Sequence, residues 1–417
     1  MTYKIFTVLL NFLFIASSLF TLYGAYFFII AIFGFKKPPQ IPNTKPKTRF
    51  AIAVAARNEE VVICDLIQSL QAQNYPAELY DIYIAPNNCT DNTRQAALDY
   101  GAKIFDPVGP IHIKGEVLTQ ITGFFLSENR YDALCVFDAD NLVHPDFLQR
   151  MNDAYQRGVR AAQGCRTAKN PVDSAMTICY SIYYWVVNRL YNGGREALGL
   201  SSLIVGSGYM VSMDLLRRLG GWHTSTLTED YEFSAQCVLH GEKIHYVADA
   251  IVYDELPLTF GQSWKQRRRW STGFVQGMEI YMHHLFRYAV QKSSPVAFDL
   301  ALAYIAPLIQ LISLVLGVAS FLLSAYGVLE LNLMPVTQAA LWLLAGALLL
   351  FLGCTIFAAV IMRLHHKQKP ATMAKGVVLF AVFLISFVPI GLLSLFNKKI
   401  KWEEIKHTRS ANLKEME

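Results

Sequence analysis

The sequence predicts an α/β domain with a mainly parallel sheet, set between membrane-spanning helices at both ends of the chain. Three observations predict it. Of the 417 residues, 53% are hydrophobic and only 17% charged, whereas soluble globular domains carry about 45–50% and about 25%. The apolar excess gathers at the two ends, and residues 48–260 between them alternate short apolar runs with helical periodicities. A soluble enzyme, a secreted disulfide scaffold and a disordered chain are thereby excluded. The net charge of +5 is too small to argue for a nucleic-acid partner, and the length corresponds to two or three units of roughly 150 residues.

Residues 5–35 hold no charged side chain. The run is too long for a signal-peptide core and lacks a small-residue cleavage site, so it reads as one spanning helix. Lys36, Lys37, Lys45, Lys47 and Arg49 follow it, which places the next domain in the cytoplasm and the amino terminus outside. Pro38, Pro39, Pro42 and Pro46 make the connection a stiff linker. Three late apolar segments, 296–326, 336–362 and 376–396, can each cross a hydrocarbon core of roughly 30 Å. Pro389 predicts a kink in the last. The 327–335 loop has no Lys or Arg and suits the outside, while Arg363, His365, His366 and Lys367 suit the inside. Four simple spans would put the tail outside, yet Lys398, Lys399, Lys401 and Lys406 argue for the cytoplasm. The last segment is therefore either a full span or a re-entrant element.

Within the central region, residues 50–56, 82–86 and 133–137 read as buried strands. Residues 58–71 and the stretch from Pro145 read as helices, Pro145 standing at a favourable first-turn position. Repeated strand–helix units place sites at the carboxyl ends of the strands. Seven cysteines (64, 89, 135, 165, 179, 237 and 354) are scattered without metal-ligand spacing and suit a reducing compartment. Asn88-Cys89-Thr90 has the form of a glycosylation acceptor but also belongs to a longer motif described below.

Three clusters carry chemistry. Cys135-Val136-Phe137 leads directly into Asp138-Ala139-Asp140, and two carboxylates on one face repel unless a cation neutralises them, which suits Mg²⁺ or Mn²⁺ on a diphosphate. A solvated turn with a capping Asp is the alternative. Thr228-Glu229-Asp230 precedes a helical pattern and reads as a helix cap or as the source of a general base. Gln266-Arg267-Arg268-Arg269-Trp270 lies in an amphipathic stretch, 262–281, that binds acidic lipid headgroups or, alternatively, a diphosphate and a sugar ring.

In order and spacing these clusters resemble the membrane-embedded inverting glycosyltransferases, which include cellulose, hyaluronan, chitin-oligosaccharide and poly-N-acetylglucosamine synthases. The resemblance covers about residues 48–290 and the general layout of the ends. It implies a GT-A (Rossmann-like) cytoplasmic domain at 36–260, between an N-terminal transmembrane helix at 1–35 and later segments. Those are an interface helix at 261–292, C-terminal transmembrane segments at 293–397 and a charged tail at 398–417.

Ala55-Ala56-Arg57-Asn58-Glu59 looks like the opening strand and loop around the nucleotide. Asn87 and Asp91 match a nucleotide-binding motif whose first residue is usually Asp, so Asn87 is a departure that keeps hydrogen bonding but lacks charge. Lys114-Gly115 resembles the basic loop near the diphosphate or, read by itself, an exposed turn. By the same resemblance Asp138 and Asp140 hold Mg²⁺ or Mn²⁺, Asp138 also facing the nucleotide, and Asp230 is the base. Gln266, Arg267 and Arg269 contact the diphosphate. Trp270, Glu229, Gly206, Ser207 and Gly208 face the acceptor.

The implied function is processive transfer from a UDP-sugar, with UDP-glucose and hence a β-glucan as the first expectation, to a growing β-linked polysaccharide exported across the plasma membrane. Its partners are the UDP-sugar, that polysaccharide and membrane lipid. The rivals are a non-processive enzyme with a lipid acceptor, another β-glycan synthase such as a poly-N-acetylglucosamine synthase, and a transporter. The transporter would need ionisable residues in its spans, and 336–362 has none.

Overall fold

The structure, a computed structural model, describes residues 2–38, 41–365 and 370–397. Pro39, His366, Lys367 and the lysine-bearing tail 398–417 lie outside the described residues, and with them the argument for the side on which the chain ends.

Among the described residues, eight strands form one sheet: β1 (Phe50–Ala56), β2 (Tyr80–Pro86), β3 (Lys103–Ile104), β4 (Ala133–Asp138), β5 (Leu142–Val143), β6 (Ala161–Ala168), β7 (Tyr209–Ser212) and β8 (Ile244–Asp254), in the order β3-β2-β1-β4-β7-β6-β8-β5. β1 pairs in parallel with β2 and β4, β2 with β3, and β6 with β8. The sheet is nevertheless mixed, because β7 runs antiparallel to both β4 and β6, and β5 runs antiparallel to β8. Six of these eight strands still point the same way, so the expected mainly parallel sheet holds, with β7 and β5 reversed. After β6 the chain leaves the sheet through the Ala175–Trp185 helix, and β7 enters from a loop instead of a crossover helix.

The strand alternation sorts the core onto two faces. Phe50, Ile52 and Val54 of β1 pack with Ile63, Leu66 and Leu70 of the Ile63–Gln71 helix. Ala51 and Ala53 pack on the other side with Val117, Leu118 and Ile121 of the Lys114–Glu128 helix. Burial on both faces is why these strands read as continuous apolar runs. It leaves the carboxyl ends of the strands as the place where polar side chains gather.

Among the described residues, four helical stretches are long and apolar enough to cross a membrane: Lys4–Phe33, Ala306–Leu329, Val336–Arg363 and Met373–Phe396. The expected segment 296–326 is divided. Pro295–Tyr304 is a separate short helix with Asp299, Leu300 and Tyr304 buried, and the next helix begins at Ala306, with Pro307 in its first turn where no N–H donor is needed. The kink expected from Pro389 is present as a break at Ser386, between helices Pro370–Ile385 and Phe387–Phe396, because a proline cannot donate to the carbonyl four residues back.

Before these segments runs the Phe260–Gln291 helix. Its start is fixed by a capping box in which Thr259 and Gln262 each accept the other's backbone N–H, at 3.2 and 3.1 Å. The Ala175–Trp185 helix packs on the last apolar segment, placing Ile178, Tyr180 and Ile182 in one cluster with Phe380 and Phe383.

Candidate active site

Three carboxylates converge at the strand ends. β7 is antiparallel to both β4 and β6, and β6 is parallel to β8, so β4 and β8 run the same way and finish at the same edge. Asp138 closes β4, Asp140 follows two residues on, and Asp254 closes β8. One oxygen from each lies within 4.8 Å of the others. Asn141 braces the group: its amide donates to Asp254 Oδ1 at 2.9 Å, and its own oxygen accepts the Asp138 N–H at 3.0 Å. Tyr184 Oη and Arg166 donate to Asp254 Oδ2 at 2.7 and 2.5 Å. Burial pushes the Asp138 carboxyl up, but Lys114, Arg166 and Arg269 outweigh it and hold Asp138 below the usual carboxylate range. An all-oxygen, anionic set of this kind fits a hard divalent cation.

Asp254 is absent from the sequence reading. Its signal was an acid at the end of the apolar run Ile251-Val252-Tyr253, the same pattern that identified Asp138. Nothing local tells that the two strand ends adjoin.

The second wall is the start of the Glu229–Leu239 helix. Thr228 makes no side-chain cap there, and the two acids face the same cavity as the aspartates. Asp230 Oδ2 accepts the Gly206 N–H, and burial raises its carboxyl above the ordinary value. Burial also pushes Glu229 up to about 7, Lys114 opposing and the charges of Asp230 and Asp138 adding. Lys114 joins the two walls. Its Nζ lies 2.6 Å from Asp138 Oδ1, 3.4 Å from Glu229 Oε1 and 2.9 Å from the Gly206 carbonyl. Burial alone would lower its pKa, but the surrounding carboxylates raise it, so the ammonium is held charged.

The third wall is the Phe260–Gln291 helix. Gln266, Arg269 and Trp270 stand at i, i+3 and i+4 and line the cavity together. Trp270 meets Tyr180 edge to face, with ring centroids 6.1 Å apart. Arg267 lies on the flank of that face, about 100° round the helix from Gln266, and does not line the cavity. It is 0% exposed, donates to the Phe383 carbonyl at 3.0 Å and to Ser386 Oγ at 2.7 Å, and lies over the Phe383 and Phe387 rings at 4.4 and 4.8 Å. This placement corrects the expected diphosphate contact: helical periodicity spends Arg267 on the break in the last apolar segment.

Asn87 lines the cavity and accepts from Arg57 Nε and Nη2 at 3.0 and 2.7 Å, so a neutral amide stands against a cation there. Asp91, expected beside it, is instead engaged at the start of the Thr93–Asp99 helix, where it accepts the Thr93 and Glu60 N–H groups, both at 3.1 Å. Gly206 lines the cavity at φ +81°, and a Cβ there would meet Arg166 at 3.0 Å. Ser207 and Gly208, expected beside it, lie behind it and are not part of the cavity lining. Ser207 Oγ donates to Asn141 and accepts the Asp138 N–H, and Gly208, at φ +66°, packs its backbone against Val252.

The cavity has a volume of about 780 Å³ and runs from Arg57 and Asn87, past the carboxylates, to Tyr23 and Phe27 of the first apolar helix and Gln310 of the second. Arg166, Tyr184, Asn188 and Tyr191 also line it, and no short motif marks them.

Residues 134–385 match the family model described as "Glycosyl transferase family group 2". A probable glycosyltransferase, YdaM, of Bacillus subtilis is 25% identical over 319 residues, covering 73% of this chain and 72% of that protein. Beta-monoglucosyldiacylglycerol synthase of Synechocystis is 28% identical over 247 residues, covering 56% of this chain and 49% of the synthase. Poly-beta-1,6-N-acetyl-D-glucosamine synthase of Staphylococcus aureus is 26% identical over 274 residues, covering 63% of each. This chain thus matches about half the length of the first synthase and under two thirds of the second. Among solved structures, the mannosyltransferase PcManGT of Pyrobaculum calidifontis, in complex with GDP-Man and Mn²⁺, aligns with a TM-score of 0.57 at 17% identity, covering 90% of this chain and 98% of that one. That likeness carries the GT-A fold. With the family model spanning the strand ends, the acidic pair and the arginine–tryptophan helix, the chain belongs to glycosyl transferase family group 2.

Proposed function

We propose that the chain is an inverting glycosyltransferase that takes a sugar from a UDP-sugar in the cytoplasm and adds it to a β-linked polysaccharide leaving through the membrane segments. The observation that carries this reading is the single cavity joining the Asn87 end, the carboxylates and the apolar helices. A donor and an acceptor can enter it from opposite ends and meet at Asp230.

In this reading Arg57 and Asn87 hold the nucleotide end, and Lys114, Gln266 and Arg269 bind the diphosphate. A divalent cation held by Asp138, Asp140 and Asp254 would neutralise charge on the departing diphosphate. Asp230, fixed by the Gly206 N–H and made more basic by burial, takes the proton from an acceptor hydroxyl. That oxygen forms its bond to the anomeric carbon as the bond from this carbon to the diphosphate oxygen breaks. The electron pair departs with UDP, and the anomeric configuration inverts. Lys114 and Arg269 stabilise the charge that develops there without having to reorganise.

A second reading, one sugar transferred to a lipid hydroxyl, is favoured by the apolar wall that Phe27, Ala303 and Ala306 give the membrane end. The two curated synthases named above divide between these readings, one carrying a lipid product in its name and the other a polymer. Product size decides. The full chain in lipid nanodiscs, supplied separately with radiolabelled UDP-glucose and UDP-N-acetylglucosamine, gives a glycosidase-sensitive polymer on the first reading and an organic-extractable glycolipid on the second. Absence of any transfer product overturns both.

A further inference from the structure

Beyond the carboxylates, on the side away from Asn87, the cavity wall holds a buried donor and a buried acceptor that have no partner among the described residues. The donor is Arg166 Nε and the acceptor Asn188 Oδ1. Both residues line the cavity. The Arg166 side chain is 12% exposed and Asn188 7%. An unpaired buried polar group costs stability, so two on one cavity wall call for an account.

Their surroundings fix how they point. The other two guanidinium nitrogens of Arg166 are committed to Asp254 at 2.5 Å and to the Val205 carbonyl at 3.1 Å. Asn188 Nδ2 donates to the Arg166 carbonyl at 2.6 Å, which settles which end of the amide is the free acceptor. Asn188 stands in a π-helical turn, Val186–Asn192, a local irregularity found disproportionately at functional sites. The wall around it is aromatic: Tyr183, Tyr184 and Tyr191 line the same region, and the Arg166 guanidinium lies 4.9 Å over the Tyr184 ring.

We propose that Asn188 and Arg166 form a subsite that reads hydroxyl groups on the sugar ending the acceptor. The inference rests on the transferase reading and narrows its acceptor to one that already carries a sugar. A hydroxyl is both donor and acceptor, so the hydroxyls of a sugar supply the partner that Asn188 Oδ1 lacks and the partner that Arg166 Nε lacks. An acyl chain satisfies neither, and the single hydroxyl of a simple lipid acceptor is the one that has to lie at Asp230. A diphosphate offers no donor to Asn188. A base edge offers both, but the nucleotide end of the cavity is at Arg57 and Asn87.

The test uses the full chain in nanodiscs with UDP present. The probes are octyl β-glucoside, octyl β-N-acetylglucosaminide, their monodeoxy analogues and octanol, each measured by equilibrium binding. At least one deoxy analogue should bind about 10-fold or more weakly than its parent, the scale of one lost hydrogen bond to a buried group. Asn188→Leu should abolish that discrimination and weaken the parent glycoside by the same factor, with octanol binding and UDP affinity unchanged.

Deoxy analogues that bind the wild type as tightly as their parents overturn the proposal, and this arm stands even where the variant does not fold. A folded Asn188→Leu that weakens UDP-glucose and spares the octyl glycosides also overturns it, because the pair then reads the donor. Failure of the wild type to transfer any sugar refutes the transferase reading, whereas the binding series answers the subsite independently.

Discussion

Replacing Arg267 with Met separates the two roles that its motif allows. Methionine keeps the length and packing of the side chain but removes the charge. Lost with the charge are the hydrogen bonds to the Phe383 carbonyl and Ser386 Oγ, at about 1.5–3 kcal/mol each for a charged donor. The desolvated contact with the Phe383 and Phe387 rings adds about 2 kcal/mol. Against this, the several kcal/mol spent on burying an unpaired cation are recovered. Ser386 Oγ still satisfies the Phe383 carbonyl, at 2.6 Å. The balance is a destabilisation of about 2 kcal/mol, or roughly 2 °C in the unfolding midpoint of a chain this size. Thermal unfolding in nanodiscs and UDP binding, measured on the same preparations, give the readout. Arg267→Met should lower the midpoint and leave UDP affinity within about 3-fold of wild type, while Arg269→Met should keep the midpoint and weaken UDP by about 10-fold or more. A normal midpoint with strongly weakened UDP binding in Arg267→Met would refute the reasoning.

Asp254→Asn removes one ligand of the proposed cation site and should raise the Mg²⁺ or Mn²⁺ needed for half-maximal turnover by about 10-fold, on the scale of disrupting a metal site; an unchanged metal titration removes Asp254 from it. Asp230→Asn should lower turnover by about 10²-fold or more with UDP binding nearly intact, and wild-type turnover would assign the base elsewhere. Glu229 titrates at about 7 in the fold, above its ordinary 4.5. Its contribution to stability is therefore complete below about 4.5 and lost as pH climbs through about 7. Glu229→Gln should flatten that part of the midpoint–pH curve, and an unaltered curve counts against the assignment. Trp270→Phe should retain more acceptor use than Trp270→Ala, since a ring face accepts another aromatic better than a methyl group. Equal acceptor use by Trp270→Ala and wild type would exclude stacking.

What was legible in the sequence was whatever is encoded locally. Asp138 and Asp140 were readable because a strand writes its end as an apolar run that stops at an acid, and Pro389 because its missing donor acts within one turn. Asp254 carries the same local signal, but its meaning depends on β8 lying beside β6, and no residue near 254 reports that pairing. Arg267 fails for the opposite reason. A motif is read as a string, whereas a helix divides the string between two faces, so Gln266, Arg269 and Trp270 keep company and their neighbour turns away. The reversed strand β7 and the break at Ile305 were hidden because each is decided by tertiary packing: β7 by its place between β4 and β6, and the Pro295–Tyr304 helix by the ion pair of its Asp299 with Arg195 at 2.8 Å.

The same packing makes the membrane part a component of the site as well as its anchor. Gln266, Arg269 and Trp270 reach the cavity only because their helix lies close on the loop before Glu229. A Cβ on Gly273 would stand 2.7 Å from the Thr228 nitrogen and 2.6 Å from its hydroxyl. Behind that helix, Arg267 is tied to the Ser386 break, and Tyr180 packs on both Trp270 and Phe383. The wall assigned to the diphosphate is thus held between the loop before Glu229 on one side and the last apolar segment on the other. Removing the C-terminal segments would expose the cluster of Ile178, Tyr180 and Ile182 and leave the Phe260–Gln291 helix without the partners of Arg267. The strand ends can place three carboxylates by themselves, but the arginine–tryptophan face needs the apolar helices to hold it in register with them.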